Sequence, residues 1–384
     1  MIRPAPRALL FSMLVGAVAN GGCTTDHDAL ARQPNKAGTG GGGVGGVSGT
    51  GGSGGGGEQA SQGGRVNPDV EPEGDNVLTI VNGIVDAPSV RLCFASVGDN
   101  GATSKLRGDP LPELAYSAST VLTELDGFSF ADDVLEPWVI VGDLSLVEKL
   151  DCRAAVELAQ TEEARVTPDE HGEAGAAGAA ASAPLEAPAL RARALAALPA
   201  GTVTIGRSIL MVLTGCVGGA AYSDVVDIEA CGDDYTPMTP TAQPIVVKLS
   251  REHSPLTVGL QGVHASLPTL AVDIREGGGE TARVFAGNIA FGAIEPRPAD
   301  VRFTPDDLGV SARDHGLQAV GDQGIVVLDE EWAKVFAASG IDPLQADRTY
   351  TAILLGPNPR LTKRGFWNDA AFAIVDNDPT RKSQ

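Results

Sequence analysis

Gly262–Ile274 reads GVHASLPTLAVDI, and this stretch decides the class of the fold. A tight entry is followed by a break at Pro268, because proline fixes φ and cannot donate to a strand ladder. Leu270, Val272 and Ile274 then alternate on one face, the period-two signature of a half-buried strand. Gly83–Phe94, GIVDAPSVRLCF, repeats the plan more loosely, with Val90, Leu92 and Phe94 alternating after Pro88. The body of the chain therefore reads as one β-rich unit used twice.

Outward from that stretch, a second unit spans 245–378, followed by a tail at 379–384. Its expected strands are Ile245–Leu249, Leu256–Leu260, Leu270–Ile274, Thr349–Leu355 and Phe372–Val375. Gly277-Gly278-Gly279 suits a hairpin turn. Asp329–Ser339, DEEWAKVFAAS, reads as a helix with acidic residues in its first turn. Asp233–Pro244 reads as a linker or edge segment.

The first unit spans 77–235. Val77–Val81, Leu114–Ser117, Trp138–Val141 and Ile209–Thr214 are expected strands, and the unit resumes at Pro199–Val203. An insertion occupies 143–198. Leu144, Val147, Leu150, Ala154 and Leu158 recur near helical spacing over Asp143–Ala164, after a cap at Asp143 or Ser145. Gly172–Pro188 is rich in Ala, Gly and Pro and reads as a disordered excursion.

Ahead of the body, residues 23–76 form a tether. Gly38–Gly57 is mostly glycine, and no helix or sheet repays the entropy of ordering such a run. About 40 residues in the random-coil regime reach roughly 35 Å. Residues 1–22 read as a signal peptide: Arg3 and Arg7 precede the apolar run Ala8–Ala19, which is too short for a spanning helix. Two processing sites compete. Ala17-Val18-Ala19 would release a soluble protein; Asn20-Gly21-Gly22-Cys23 resembles a lipobox, with Asn20 where an apolar residue is usual. Acylation of Cys23 leaves Cys93, Cys152, Cys216 and Cys231, an even number that export favours pairing. Cys216 with Cys231 and Cys93 with Cys152 is one arrangement; Cys93 with Cys216 is the main competitor.

The formal net charge of -21 argues against nucleic acid and against a polybasic membrane patch. Catalytic patterns are missing: the Gly-x-Ser-x-Gly pattern falls inside the glycine tract, where no strand–turn–helix elbow can form. Of the five histidines, none makes a two-His metal spacing. His264, with Asp273 on the strand that follows, is the candidate for a ligand or metal. The competing reading is a turn histidine bonded to backbone at the strand entry. Acidic pairs recur at Asp132-Asp133, Asp224 with Asp227, Asp233-Asp234, Asp306-Asp307 and Asp376 with Asp378. Solvated turns are the expectation, so no cofactor or metal is assigned, and a calcium site is the alternative.

Val263-His264-Ala265-Ser266, then Pro268, then Leu270–Ile274 resembles the opening of a bacterial family of exported β-sandwich repeats, catalogued only as domain-of-unknown-function 4397. Ile289–Gly292, Tyr350–Gly356 and Ile374–Asp378 resemble later strands and the acidic closing turn of that family, so the likeness spans about Thr257–Asp378. The first unit departs from it at Val85, Asp86, Ala87 and Cys93. The resemblance implies an immunoglobulin-like sandwich at or outside the cell surface, with no assigned enzymatic activity. Together these readings describe a mainly β protein of two sandwich units with short inserted helices, in the bacterial cell envelope. They expect a lipid anchor at Cys23, or secretion as the alternative. The expected role is a non-enzymatic surface binding or structural module with an envelope glycan or protein as partner. The rivals are a secreted hydrolase of unrecognised type and a mechanical spacer.

Overall fold

The computed structural model describes residues 74–98, 105–166, 190–204, 206–218, 230–236, 239–267, 269–277, 282–297, 301–304, 316–321, 324–341, 344–357 and 368–381. The protein is mainly β, and the described chain builds two sandwiches on one plan. The first uses β1 (Val77–Ile84), β2 (Ser89–Val97), β3 (Lys105–Arg107), β4 (Leu114–Ala115), β5 (Ser119–Leu122), β6 (Val134–Val141), α1 (Cys152–Val166), β7 (Arg191–Ala194), β8 (Ser208–Gly215) and β9 (Gln243–Leu249). One sheet runs β5-β1-β8-β9; the other runs β3-β2-β6-β7, with β4 on β2. Leu78, Ile80, Met211 and Leu213 meet Leu92, Phe94, Val139 and Val141 between them.

The second sandwich uses β10 (Val258–His264), β11 (Val272–Glu276), β12 (Arg283–Ile289), β13 (Ile294–Glu295), β14 (Arg302–Phe303), β15 (Gly316–Val320), β16 (Val326–Glu331), α2 (Trp332–Ser339), β17 (Arg348–Leu355) and β18 (Ala371–Asp376). Its sheets run β13-β10-β17-β18, with β14 on β10, and β12-β11-β15-β16. Val272, Ile274, Leu317 and Ala319 pack there on Leu260, Ala352, Leu354 and Ile374. In each sandwich the opening strand lies parallel to a late one, β1 to β8 and β10 to β17, and an antiparallel edge strand follows.

The two inner sheets also pack on each other. Val81, Leu210, Val212, Ile245, Val247 and Leu249 share a core with Val263, Ala265, Ile353, Leu355, Ala373 and Val375. The result is four stacked sheets, and the central strands of the middle two, β1, β8, β10 and β17, are covered on both faces. That explains the apolar runs at Val77–Val81, broken only by Thr79, and Ile209–Leu213: a strand buried on both sides has no solvent face to mark with polar residues. The outer face of β2 and β6 is covered by α1, where Ile140, Ala155, Val156 and Ala159 surround Cys93 and Cys152.

Several expectations are corrected. Ile245–Leu249 does not open the second sandwich; as β9 it completes the first, pairing antiparallel with β8 from Ser208–Leu249 to Thr214–Gln243. Leu270 does not share the buried face of Val272 and Ile274 but is 73% exposed, because β11 begins only at Val272. Tyr116-Ser117 is a turn, with Ser117 at φ 61°. The helical insertion divides into a 3-10 turn at Leu144–Val147, capped by Asp143, and α1, and it also contributes β7. Residues 23–73 of the tether, Cys23 among them, with Pro268, the Gly172–Pro188 excursion, His27, His171 and His315, lie outside the described residues.

Candidate functional site

His264 ends β10 fully buried. Its Nδ1 accepts the Ser266 amide at 3.2 Å, and its Nε2 lies 3.0 Å from the Leu270 carbonyl and 3.2 Å from that of Thr269. A carbonyl only accepts, so the ring is the Nε2–H tautomer with both nitrogens engaged by its own turn. Phe291 stands edge-on at 6.1 Å. Burial pushes the imidazole below its ordinary pKa, and the two carbonyl bonds oppose this only in part. The Ser266 hydroxyl bonds Thr269 Oγ1 at 2.9 Å rather than the ring, so His264 and Ser266 are not arranged as base and nucleophile.

Asp273 is occupied elsewhere. Its Oδ1 accepts the amide of Asn288 at 2.8 Å and its Oδ2 accepts from Arg275 at 3.1 Å. Asn288 sits at φ 50° in the irregular β11–β12 pairing, so Asp273 pins a bulge. The turn histidine and the bulge aspartate have separate partners and form no joint ligand set.

Asn82 does in the first sandwich what His264 does in the second. Its Oδ1 accepts the Ile84 amide, two residues on, at 3.0 Å, and its Nδ2 donates to the Leu114 carbonyl at 3.0 Å. The carbonyls of Asn82 and His264 each accept, at 2.8 Å, the amide of a left-handed residue, Ser117 and Gly292 respectively. Asn82 lies opposite Leu213 and His264 opposite Leu354, each partner two residues before a positive-φ glycine, Gly215 or Gly356. The residue matching His264 is therefore Asn82, and not Val85 as the letter pattern suggests.

A small polar cleft lies at the other end of β10 and β17, lined by Arg251, His253, Asp347, Arg348, Asp376, Asp378 and Arg381 among others. Arg348 pairs with Asp376 and donates to the Arg381 carbonyl at 2.7 Å; Arg381 in turn pairs with Asp347 at 2.7 Å. Arg251 donates to the carbonyls of Gly206 and Asp75 in the first sandwich and lies 3.8 Å from Asp378 in the second. Burial holds the Asp376 carboxyl above its usual pKa, against the amide bond it accepts from Asp378 and the pull of Arg348. Sequence reading treated Asp376 and Asp378 as a solvated turn and missed the arginines. The signal was present as an acidic–basic alternation, Asp347-Arg348 and Asp378 to Arg381, on residues far apart in the chain.

The cysteines join as Cys93–Cys152 and Cys216–Cys231. The second bridge packs with Val85, Ala230 and Tyr235. Beside it, fully buried Asp86 accepts the amides of Val217 and Gly218, each at 2.9 Å. Burial raises its pKa, and the charge of Arg191 opposes that rise. Asp132 and Asp133 both bond to Ser129. Asp224, Asp227, Asp306 and Asp307 lie outside the described residues. Among the described residues no three His, Cys, Asp or Glu side chains gather as a metal set.

No protein-family model matches the chain, and no curated protein matches it. Among solved structures, the tip fimbrial protein Mfa3 from Porphyromonas gingivalis, with a C-terminal truncation, is 9% identical over 79% of this chain and 100% of that one, at a TM-score of 0.17. At that score the likeness carries no argument.

Proposed function

We propose that this chain is an exported, non-enzymatic module of the bacterial cell surface, anchored through lipid at Cys23 and serving a structural or binding role. The observation that carries this reading is the shared core of the two inner sheets, which makes the sandwiches one stiff body with loops at fixed separation. The two disulfides fit an oxidising compartment. The short apolar run after Arg3 and Arg7, the glycine tract and the resemblance of 257–378 to exported sandwich repeats point the same way. The partner class that fits this reading is an envelope glycan or protein, met by the loops.

The test is the intact mass of the mature protein recovered from membranes and from medium, with and without reductant. Acyl mass on Cys23 in the membrane fraction, with the deficit of two disulfides, is expected. A soluble species beginning at Asn20 with a free thiol overturns the anchored reading.

A further inference from the structure

We propose that the His264 turn is an acid-operated latch between the two sandwiches. The turn that follows β10 closes on the first sandwich. Thr214 Oγ1, from β8, donates to the Ala265 carbonyl at 2.6 Å. Leu267 lies so near Gly215 that a Cβ there would stand 3.0 Å from its Cδ1, and the same leucine reaches Gly232 beside Cys231. The neutral ring of His264, which accepts from Ser266 while donating toward Leu270, braces this turn alongside the Ser266–Thr269 hydroxyl bond.

A second proton goes to Nδ1, and that nitrogen then faces the Ser266 amide donor to donor. The bond is lost and two N–H groups oppose each other in a buried site. Among the described residues, nothing ionic relieves this. The groups that shift His264 are burial and the carbonyls of Leu270 and Thr269. Phe291 faces the ring, β17 sets Leu354 beside it, and Asp86 with Arg191, at the same end of the first sandwich, are not among its influences. The folded pKa lies below the unfolded value near 6.5, so the turn's stability is present above about 6.5 and is lost as pH falls toward the folded pKa. Asn82 makes the corresponding two side-chain bonds with an amide that does not titrate, so the first sandwich lacks the device.

The test is hydrogen exchange on the full mature chain between pH 5 and 8, corrected for intrinsic rates, comparing wild type with His264→Asn. In wild type the opening of peptides covering 264–272 is expected to rise by up to about tenfold per pH unit below about 6.5, while β2 and β6 stay protected. In His264→Asn the corrected profile is flat. Parallel profiles in the two proteins, or a flat wild type, overturn the proposal. Should the variant not fold, nitrogen-15 imidazole NMR of wild type decides. The latch requires His264 to titrate well below its ordinary value, with the Ser266 amide signal changing at the same midpoint. Titration near 6.5 with a stationary Ser266 signal overturns it.

Discussion

Glu330 Oε2 accepts the backbone amide of Phe372 at 2.8 Å, across the open edge of β18. Ser339 Oγ accepts the amide of Ile374 at the same distance. Alternate amides of an edge strand point away from the sheet and invite another chain. Here β16 and α2 supply acceptors for two of them, and Lys334 pairs with the other oxygen of Glu330. The corresponding edge, β9, is guarded differently, by Pro244, which has no amide proton, and by exposed Lys248.

Replacing both guards, Glu330→Ala with Ser339→Ala, is expected to cost about 1–3 kcal/mol and to promote edge-to-edge association. Urea melts and sedimentation velocity read the two effects. A monomer with an unchanged midpoint would show that β18 needs no guard.

Arg251 ties the segment before β1 to the turn after β18, with a side chain only 2% exposed. Arg251→Met leaves the Asp75 and Gly206 carbonyls without this donor and Asp378 without this cation, at an expected cost of about 3–5 kcal/mol. Arg251→Lys is expected to recover little, because one ammonium cannot reach three separated acceptors as the guanidinium fork does. Full recovery by lysine in chemical denaturation would reduce the role of Arg251 to charge alone.

The bridges should differ in weight. Cys216–Cys231 closes a separation of 15 residues and Cys93–Cys152 one of 59. Loop-closure entropy then gives about 3 and about 4 kcal/mol respectively. Paired Cys→Ser variants, melted separately, are expected to follow that order. Loss of Cys93–Cys152 should also speed amide exchange in α1, whose first residue it holds; unchanged protection there would argue against the tie.

Asn82 offers a complementary pH experiment. Asn82→Asp keeps an acceptor for Ile84 but, when ionised, cannot donate to Leu114. A buried carboxyl has its pKa raised, so the variant should be weaker by about 1–3 kcal/mol at neutral pH and recover as pH falls and the acid regains a proton to donate. That sign is opposite to the one expected at His264. Loss independent of pH would mean that shape, rather than hydrogen bonding, sets the cost.

Strand positions were legible because alternation and apolar runs are local. The partners of those strands were not. Ile245–Leu249 carries the same letters whether it opens one sandwich or closes another, and only pairing with β8 decides. Leu270 sits in phase with Val272 and Ile274, yet the ladder starts two residues later and leaves it in solvent. His264 was recognisable as a turn residue, but its match to Asn82 was hidden. An imidazole and a carboxamide share a bonding geometry that no pattern of letters records. The arginine–aspartate cleft drew on residues about 130 apart, from Arg251 to Arg381, beyond the reach of any local motif.

The parallel ladder between β1 and β8 has a mechanical consequence. Residue 77 enters the body directly into an interior strand, bonded to β5 on one side and to β8, from Val77–Ser208 to Ile84–Gly215, on the other. Tension arriving along the preceding segment pulls β1 lengthwise, so the rungs are sheared together rather than opened in turn from one end. Extraction of that strand would also drag Ile80 and Val81 out of cores on opposite faces of the same sheet. A chain pulled from its amino terminus thus meets two ladders and two cores at the first strand it would have to surrender.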